Sequence, residues 1–313
     1  MKIWKKSYEI RIKRLFLPLI NWAKRVSIPG FDKIPLYDVS LFFFKGLRDG
    51  SISIRAAGVS FNLFVAVFPA IIFFFTLIPI IPIQDFQSEL LLMIESMVPD
   101  TVYKSLQKSI EEIIIIPHGG LLSIGVITAL YFATSGVVSL ISAFNASVNV
   151  TDTRRWWEIR LISIFLVLIL SILIITGIGL ITFTQTILNH LVKEGIMEQG
   201  LTFYFITIGK WIIILALFYF AFSFLFFLAP ARKSKWKFIS AGGTLSTLLS
   251  IVITLGLSFY IDHFGKYNAL YGSLGTIPVI MLMIYLNCMS LIIGFELNQG
   301  IVAAKSINSE NDN

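Results

Sequence analysis

The sequence predicts an all-α, polytopic membrane bundle with six transmembrane helices and both termini on the cytoplasmic side. Three observations predict this fold: an apolar composition, six long segments without charge, and an uneven distribution of basic residues. Of the 313 residues, 56% are hydrophobic and 14% are charged, whereas about a quarter of the residues in an ordinary soluble domain are charged. A water-soluble fold of this size could not bury so much apolar surface.

Each predicted span is long enough to cross a hydrocarbon core about 30 Å thick, which takes roughly 20 apolar residues in a helix. Backbone polar groups in lipid must be satisfied within the protein, so the choice is between helices and a closed barrel. Strands of a barrel alternate between polar and apolar residues, and these segments do not alternate. We therefore predict helices over residues 56–83, 121–150, 161–189, 211–231, 238–261 and 272–295.

The Lys and Arg residues near the span ends predict the orientation, because these residues resist translocation. Twenty of the 25 lie on the side of the N-terminus and five lie on the other side. Twelve of the twenty precede the first span. The distribution predicts that both termini lie in the cytoplasm.

Residues 1–54 are predicted to form a basic region at the cytoplasmic interface. Met1–Val26 combines aromatic and aliphatic side chains with several Lys and Arg residues, which is typical of a helix lying in the membrane surface. A disordered basic tail is the alternative. We interpret the net charge of +7 as attraction to anionic lipids of the cytoplasmic leaflet, and no nucleic-acid partner is predicted.

The connection over residues 84–120 differs from the others. It carries six acidic residues against two lysines, and its pattern predicts two amphipathic helices that are broken at Pro99. These helices would form a small outer cap on the six-span domain, which we place at residues 55–303. The other connections are short, and residues 304–313 are predicted to be a disordered tail.

Small residues recur every four positions along one face of the fifth span. This repeat consists of Gly242, Ser246, Ser250, Thr254 and Ser258. The second span has a similar repeat at Ser135, Ser139, Ala143 and Ser147. Helices in lipid use small residues to approach one another closely, so packing is the first interpretation. A polar lining of a central cavity is the second, and the two can hold for different ends of one stripe.

Ionisable side chains inside membrane segments are costly, which makes each of them a functional candidate. Arg55 opens the first span, and Glu296 follows the last span on the same side of the membrane. We hypothesise that the two form an ion pair that latches the first helix to the last. The alternative is that each side chain faces water at the interface.

Further polar residues are candidates for a cavity or a latch between helices. They are Asn62, Asn145, Asn149, Tyr271 and Asn298. Buried amides join membrane helices more often than they bind a ligand.

The motifs of several enzyme classes are missing from the sequence. It has no HExxH pattern, no GxxxxGK[ST] loop and no GxSxG elbow. Its one cysteine, Cys288, lies in the last span and cannot build a thiolate cluster. We therefore predict a protein that is not an enzyme and that has no metal site and no cofactor.

Three ordered motifs occupy the first, second and last spans. They are Arg55–Asn62 followed by Phe68-Pro69, Ser142–Asn145 followed by Arg154–Trp157, and Tyr267–Gly275 running on to Gly294–Asn298. Together they resemble the YihY/BrkB family of bacterial inner-membrane proteins. The resemblance covers residues 55–300, which is nearly all of the predicted membrane part.

This resemblance implies a six-span protein of the bacterial cytoplasmic membrane. Members of the family are described as transporters or envelope factors, and they once carried a ribonuclease label that fits poorly with this sequence. The function we predict is transport of a lipid or another amphipathic or small molecule linked to the cell envelope. The alternative is a non-transporting scaffold or envelope-integrity factor with unidentified envelope protein partners, and a membrane enzyme is a distant third. The chain is compatible with a monomer or a homo-oligomer.

Overall fold

The structure, a computed structural model, describes residues 21–24, 26–27, 30, 34–49, 51–77, 88, 119–147, 152–193, 200–231, 239–263 and 276–311. Seven helices are bounded within these ranges, and the ranges contain no strand. The helices are α1 (Leu36–Asp49), α2 (Ile52–Leu77), α3 (Gly119–Ser147), α4 (Trp156–Lys193), α5 (Leu201–Leu228), α6 (Ala241–His263) and α7 (Thr276–Asn311).

Six of these helices, α2 to α7, are long and apolar enough to cross a membrane. The all-helical fold class with six spans is thus confirmed. Many large apolar side chains on α4 are exposed, among them Ile172 and Ile175, because the bilayer rather than other helices solvates the outer surface of such a bundle.

Three helices extend by five residues or more beyond the segments predicted from hydropathy. Helix α4 begins at Trp156 rather than at residue 161, because the Glu158 carboxylate accepts a hydrogen bond from the Arg155 backbone N–H at 2.8 Å and thereby caps the helix start. Helix α5 begins at Leu201 rather than at residue 211. Lys210, one of the five basic residues on the side opposite the N-terminus in the predicted topology, is therefore buried within α5.

The third extension is at the C-terminus, where the structure differs from the predicted disordered tail. Helix α7 continues to Asn311. Ile301 and Ala304 are buried against Ile34 and Val39, which lie at the start of α1 and just before it. This apolar contact gives the end of α7 a surface to pack on, which a free tail would lack.

The helix ends define two faces of the bundle. At the end that we call basal, α2, α4 and α6 begin and α3 and α5 end. Contacts among these ends place them together: Arg55 on α2 reaches Ser147 on α3, and Asn145 on α3 reaches Ala231 after α5. The opposite end is called distal.

The apolar core lies in the basal half. Phe144 of α3 stacks on Phe295 of α7 with 4.3 Å between the ring centroids, and Phe226 of α5 packs against both rings. Ala56 and Val59 of α2 are buried in the same cluster. Leu166 of α4 belongs to this cluster as well, so five helices share one core next to the polar contacts described below.

Two predicted features lie mainly outside the described residues. They are the outer cap over residues 84–120 and the interfacial helix over Met1–Val26. Helix α1, by contrast, lies within the predicted basic region 1–54, and the sequence had not indicated it as a separate helix.

Candidate functional site

The basal end is joined by an ion pair between the first and last membrane helices. The Nη2 group of Arg55 donates to Glu296 Oε1 at 2.6 Å, and Nη1 donates to the Ala143 carbonyl at 2.8 Å and to the Ser147 hydroxyl. The contact that the sequence suggested is therefore present, and it also includes α3. Whether it acts as a latch in function stays a prediction.

Both charges of this pair are almost completely buried. The side chains of Arg55 and Glu296 are 10% and 4% exposed. Removing one partner of a buried pair leaves an uncompensated charge and typically costs about 3–5 kcal/mol. The Nε atom of Arg55 is also buried, and it has no hydrogen-bond partner within the described residues.

Helix α1 lies directly over the carboxylate of Glu296. A Cβ atom at Gly46 would stand 2.7 Å from Glu296 Oε2, which is closer than real Cβ contacts. Only glycine lets α1 approach here without displacing the carboxylate. The ion pair is therefore covered by α1 on one side and by α3 on another.

A second polar network ties the connection between α3 and α4 to the end of α5. Asn145 donates to Asp152 Oδ2 at 2.8 Å and accepts from the Ala231 backbone N–H at 2.8 Å. Arg154 donates to both oxygens of Asp152 and to the Ala229 carbonyl. The hydrogen bond from the Arg154 side chain is the main cause that lowers the pKa of Asp152, and burial opposes it.

The basal half of the α6 stripe packs against α7. Ser246 donates to the Ser290 carbonyl at 2.9 Å, and the Ser250 and Ser290 hydroxyls are 2.6 Å apart. A Cβ atom at Gly242 would collide with the backbone oxygen of Gly294. Small residues are required here because the two backbones approach so closely.

The two ends of this stripe differ in burial. Ser246 and Ser250 are fully buried, whereas Thr254 and Ser258 are exposed. At the basal end, Asn298 accepts from the Gly242 backbone N–H at 2.8 Å and donates to Ser240. Asn298 thus caps the start of α6 from α7.

The polar face of α3 is engaged by neighbouring helices. Asn62 of α2 donates to Ser139 at 2.7 Å, and Ala143 and Ser147 accept from Arg55. The amide and the guanidinium are joined to α3, as expected for residues that connect helices.

In the predicted topology, Arg160 is one of the twenty basic residues on the side of the N-terminus and comes just before the third span, which is predicted to start at residue 161. In the structure it lies in the second turn of α4. Its Nη1 group donates to the hydroxyls of Thr134 at 2.8 Å and Ser135 at 3.2 Å, and its guanidinium lies 4.8 Å from the centroid of the Tyr131 ring. The capping signal at Glu158 could have indicated this earlier helix start.

Two candidates, Asn149 and Tyr271, lie outside the described residues. Within the described ranges, no group of three or more His, Cys, Asp or Glu side chains is arranged to hold a metal ion. Cys288 is buried in α7.

Comparison with known proteins places these features among membrane proteins. The family model described as virulence factor BrkB matches residues 43–313. The ribonuclease-like protein YfkH of Bacillus subtilis (strain 168) is 28% identical over 257 residues, which are 82% of this chain and 92% of that protein. No solved structure matches the chain.

Two relatives match over shorter stretches. A UPF0761 membrane protein of Tolumonas auensis is 35% identical over 72 residues, covering 23% of this chain and 24% of that protein. A UPF0761 membrane protein of Nitrosospira multiformis is 34% identical over 74 residues, covering 24% of this chain and 17% of that protein. The chain therefore aligns with less than a third of each of these two relatives.

Proposed function

We propose that this chain, which belongs to the virulence factor BrkB family, is a transporter of a lipid or another amphipathic or small molecule linked to the cell envelope. The family that the sequence motifs indicated is confirmed by the match over residues 43–313, and the chain is a multi-pass membrane protein. The observation that carries the transport proposal is the division of the α6 stripe into a buried basal half and an exposed distal half.

The exposed distal half of the stripe carries polar side chains at positions where apolar side chains would have a lower free energy in lipid. Thr254 and Ser258 are exposed on the surface of α6, and a polar group in hydrocarbon is costly without a partner. Ser250 and Ser246 continue the same row into the contact with α7. If α6 separates from α7, the hydroxyls form one continuous row along the helix, which the head group of an amphipathic molecule can follow.

The basal contacts hold the bundle closed in the structure. Arg55 and Glu296 join α2 to α7, and α1 covers the carboxylate at Gly46. A transporter alternates between states that open on opposite sides of a central region. We assign the structure to the state that is closed at the basal end.

The distribution of basic residues supports an orientation for this cycle. We propose that the basal end faces the cytoplasm and that the protein lies in the bacterial inner membrane with both termini inside. Its partners are then anionic lipids of the cytoplasmic leaflet and envelope proteins. We propose no enzymatic activity, and the ribonuclease-like name belongs to the Bacillus subtilis relative.

The proposal is tested by joining α6 to α7 covalently. The Ser250 and Ser290 hydroxyls are in hydrogen-bond contact at 2.6 Å, so cysteines at these two positions face each other across the contact between α6 and α7. We would make S250C/S290C in a C288A background, reconstitute it into liposomes with fluorescent phospholipids, and follow lipid movement before and after oxidation. We expect movement in the reduced protein, a loss of at least about tenfold on oxidation, and recovery with a reductant.

Two controls separate the effect of the disulfide from the effects of the oxidant and of the single substitutions. The C288A variant alone, and C288A with S250C, should keep their activity under the same oxidant. Absence of lipid movement above empty vesicles, under every ion gradient tried, would argue against transport. Movement that is equally fast in the oxidised double-cysteine protein would show that α6 and α7 need not separate.

A second candidate function is a non-transporting scaffold. It is favoured by the packing of the polar faces, because Ser139, Ser147, Ser246 and Ser250 all make hydrogen bonds to neighbouring helices. A scaffold needs no opening of these faces. It predicts that the oxidised S250C/S290C protein supports envelope integrity in cells as well as the reduced protein does.

A further inference from the structure

Arg160 places a positive charge inside a membrane span. It follows the basal start of α4 at Trp156 by four residues, about 6 Å along the helix axis, and its side chain reaches Thr134 and Ser135 on α3. An arginine inside a membrane span is costly unless a partner compensates its charge. Because it lies near the basal end of α4, this charge is within reach of a lipid head group.

The contacts of Arg160 use only one edge of its guanidinium. Nη1 donates to Thr134, to Ser135 and to the Tyr131 carbonyl. Within the described part of the chain, Nε and Nη2 make no hydrogen bond and no carboxylate pairs with the side chain. Arg160 is partly exposed, and the buried side-chain nitrogens that lack a partner among the described residues do not include its Nε or Nη2 atom, so the Nε–Nη2 edge is accessible from outside the protein.

The open edge has the geometry of an anion site. Two parallel N–H groups on one side of a guanidinium match the oxygens of a phosphate group and bind them in a bidentate manner. The Tyr131 ring, 4.8 Å from the guanidinium carbon, and the Thr134 hydroxyl fix the plane of the group. The fork is therefore held in place before a ligand arrives.

The surface around this edge is apolar and exposed. Tyr131 follows Ile127 by one turn of α3, and the two side chains are 56% and 68% exposed. On α4, Trp157 and Leu161 are within one turn of Arg160 and are 44% and 56% exposed. A ligand that fits must join an anionic group to long apolar chains.

We propose that the Nε–Nη2 edge of Arg160 binds the phosphate of an anionic phospholipid from the bilayer, with the acyl chains lying on the exposed surface of α3 and α4. The site is separate from the contact between α6 and α7. It does not depend on the proposed transport, since a lipid can bind there whether or not the protein moves it.

The test compares lipid affinities by native mass spectrometry of the full-length protein in detergent, titrated with phosphatidylglycerol or phosphatidylcholine. We expect the wild type to bind phosphatidylglycerol about tenfold more tightly. R160Q should lose about tenfold in affinity for phosphatidylglycerol, as expected for a charged hydrogen bond, and should keep its affinity for phosphatidylcholine. R160K retains the charge without the fork and should fall between the two.

The matched control is R155Q, which removes an equal charge from an exposed side chain just before α4 and should bind both lipids as the wild type does. If R160Q binds phosphatidylglycerol like the wild type, or if R155Q loses as much affinity as R160Q, the proposal is overturned. If R160Q is not monodisperse, the R160K comparison decides, and equal affinity in R160K and wild type overturns the bidentate site. Full displacement of the lipid by millimolar inorganic phosphate overturns the assignment to a lipid in favour of a free-anion site.

Discussion

The basal and distal halves of the bundle use similar residues in different ways. In the basal half, Arg55, Glu296, Ser246 and Ser250 are buried and bonded to side chains or backbone of other helices. In the distal half of α6, Thr254 and Ser258 are exposed. Whether a polar residue in a membrane helix belongs to a packing contact or to an open surface is therefore decided by its neighbours in the fold.

Among the described residues, the closest approaches at glycines of α1 and α6 are in the basal half. Gly242 meets the backbone of Gly294, and Gly46 meets the carboxylate of Glu296. Gly256, in the distal half of α6, has open space where a Cβ atom would stand. The same residue type is thus required at one end of α6 and free to change at the other.

The largest effect is expected at the buried ion pair. R55Q and E296Q should each lower the free energy of unfolding by about 3–5 kcal/mol, because the remaining charge stays buried without its partner. The measurement is thermal or denaturant unfolding in detergent, with S258A as the distal control. The swapped pair R55E/E296R should recover part of the loss, and a swap that recovers nothing would contradict a direct pairing.

The glycine comparison is expected to give the next largest effect. G242A should cost about 1–3 kcal/mol, because the added methyl group collides with the backbone of α7 and forces the helices apart. G256A should be neutral or slightly stabilising, since alanine favours a helix and has room there. Equal melting temperatures for the two variants would break the distinction between the halves of α6.

The serines of the α6 stripe compare the two halves again, with a smaller expected change in the free energy of unfolding. S250A removes a hydrogen bond to Ser290 and should cost about 0.6 kcal/mol, the average found for hydrogen bonds between membrane helices. S258A removes an exposed hydroxyl and should leave the unfolding transition unchanged. The idea of a closed basal half is weakened if S258A proves the more damaging of the two.

The smallest effect concerns the partly exposed pair of Asp152 and Arg154. The pKa of Asp152 is lowered in the folded protein, so this carboxylate adds stability above its unfolded pKa of about 3.9 and loses that contribution as the pH falls through the lower folded value. The side chains are each 17% exposed, and the contribution should be about 0.5 kcal/mol or less.

Unfolding measured between pH 6 and pH 3 checks this prediction. D152N should lack the component that the wild type loses on acidification. R155Q, which removes a nearby charge without a partner role, should show the same pH dependence as the wild type. An unchanged acid profile in D152N would mean that other groups control the basal end at low pH.

Several features of the candidate site were accessible from the sequence. Arg55 and Glu296 both flank apolar segments on the side where basic residues accumulate, so topology alone placed them at one depth. Asn62, Asn145 and Asn298 were recognisable because an amide inside or beside a span needs a partner. Their partners were not recognisable, because Ser139, Asp152 and Gly242 had no feature that tied them to these amides.

Other features could not be predicted from the sequence because they depend on contacts between segments that are far apart in the chain. Helix α1 depends on Gly46 and on the apolar end of α7, which lie about 250 residues apart. The predicted topology places Arg160 before the third span because hydropathy alone cannot locate the capping hydrogen bond at Glu158. The division of the α6 stripe was also hidden, since its five members have the same spacing along the whole helix.

The amino-acid sequence by itself determined that the chain is a bundle of six membrane helices of the virulence factor BrkB family, because apolar length and ordered motifs are local properties of the chain. The tertiary structure decided which polar groups are paired and which are open. Arg55 and Glu296 are 241 positions apart, and only the packing of α2, α3 and α7 gives the guanidinium a carboxylate. Arg160 packs on the same α3, and there the fold supplies hydroxyls and an aromatic ring.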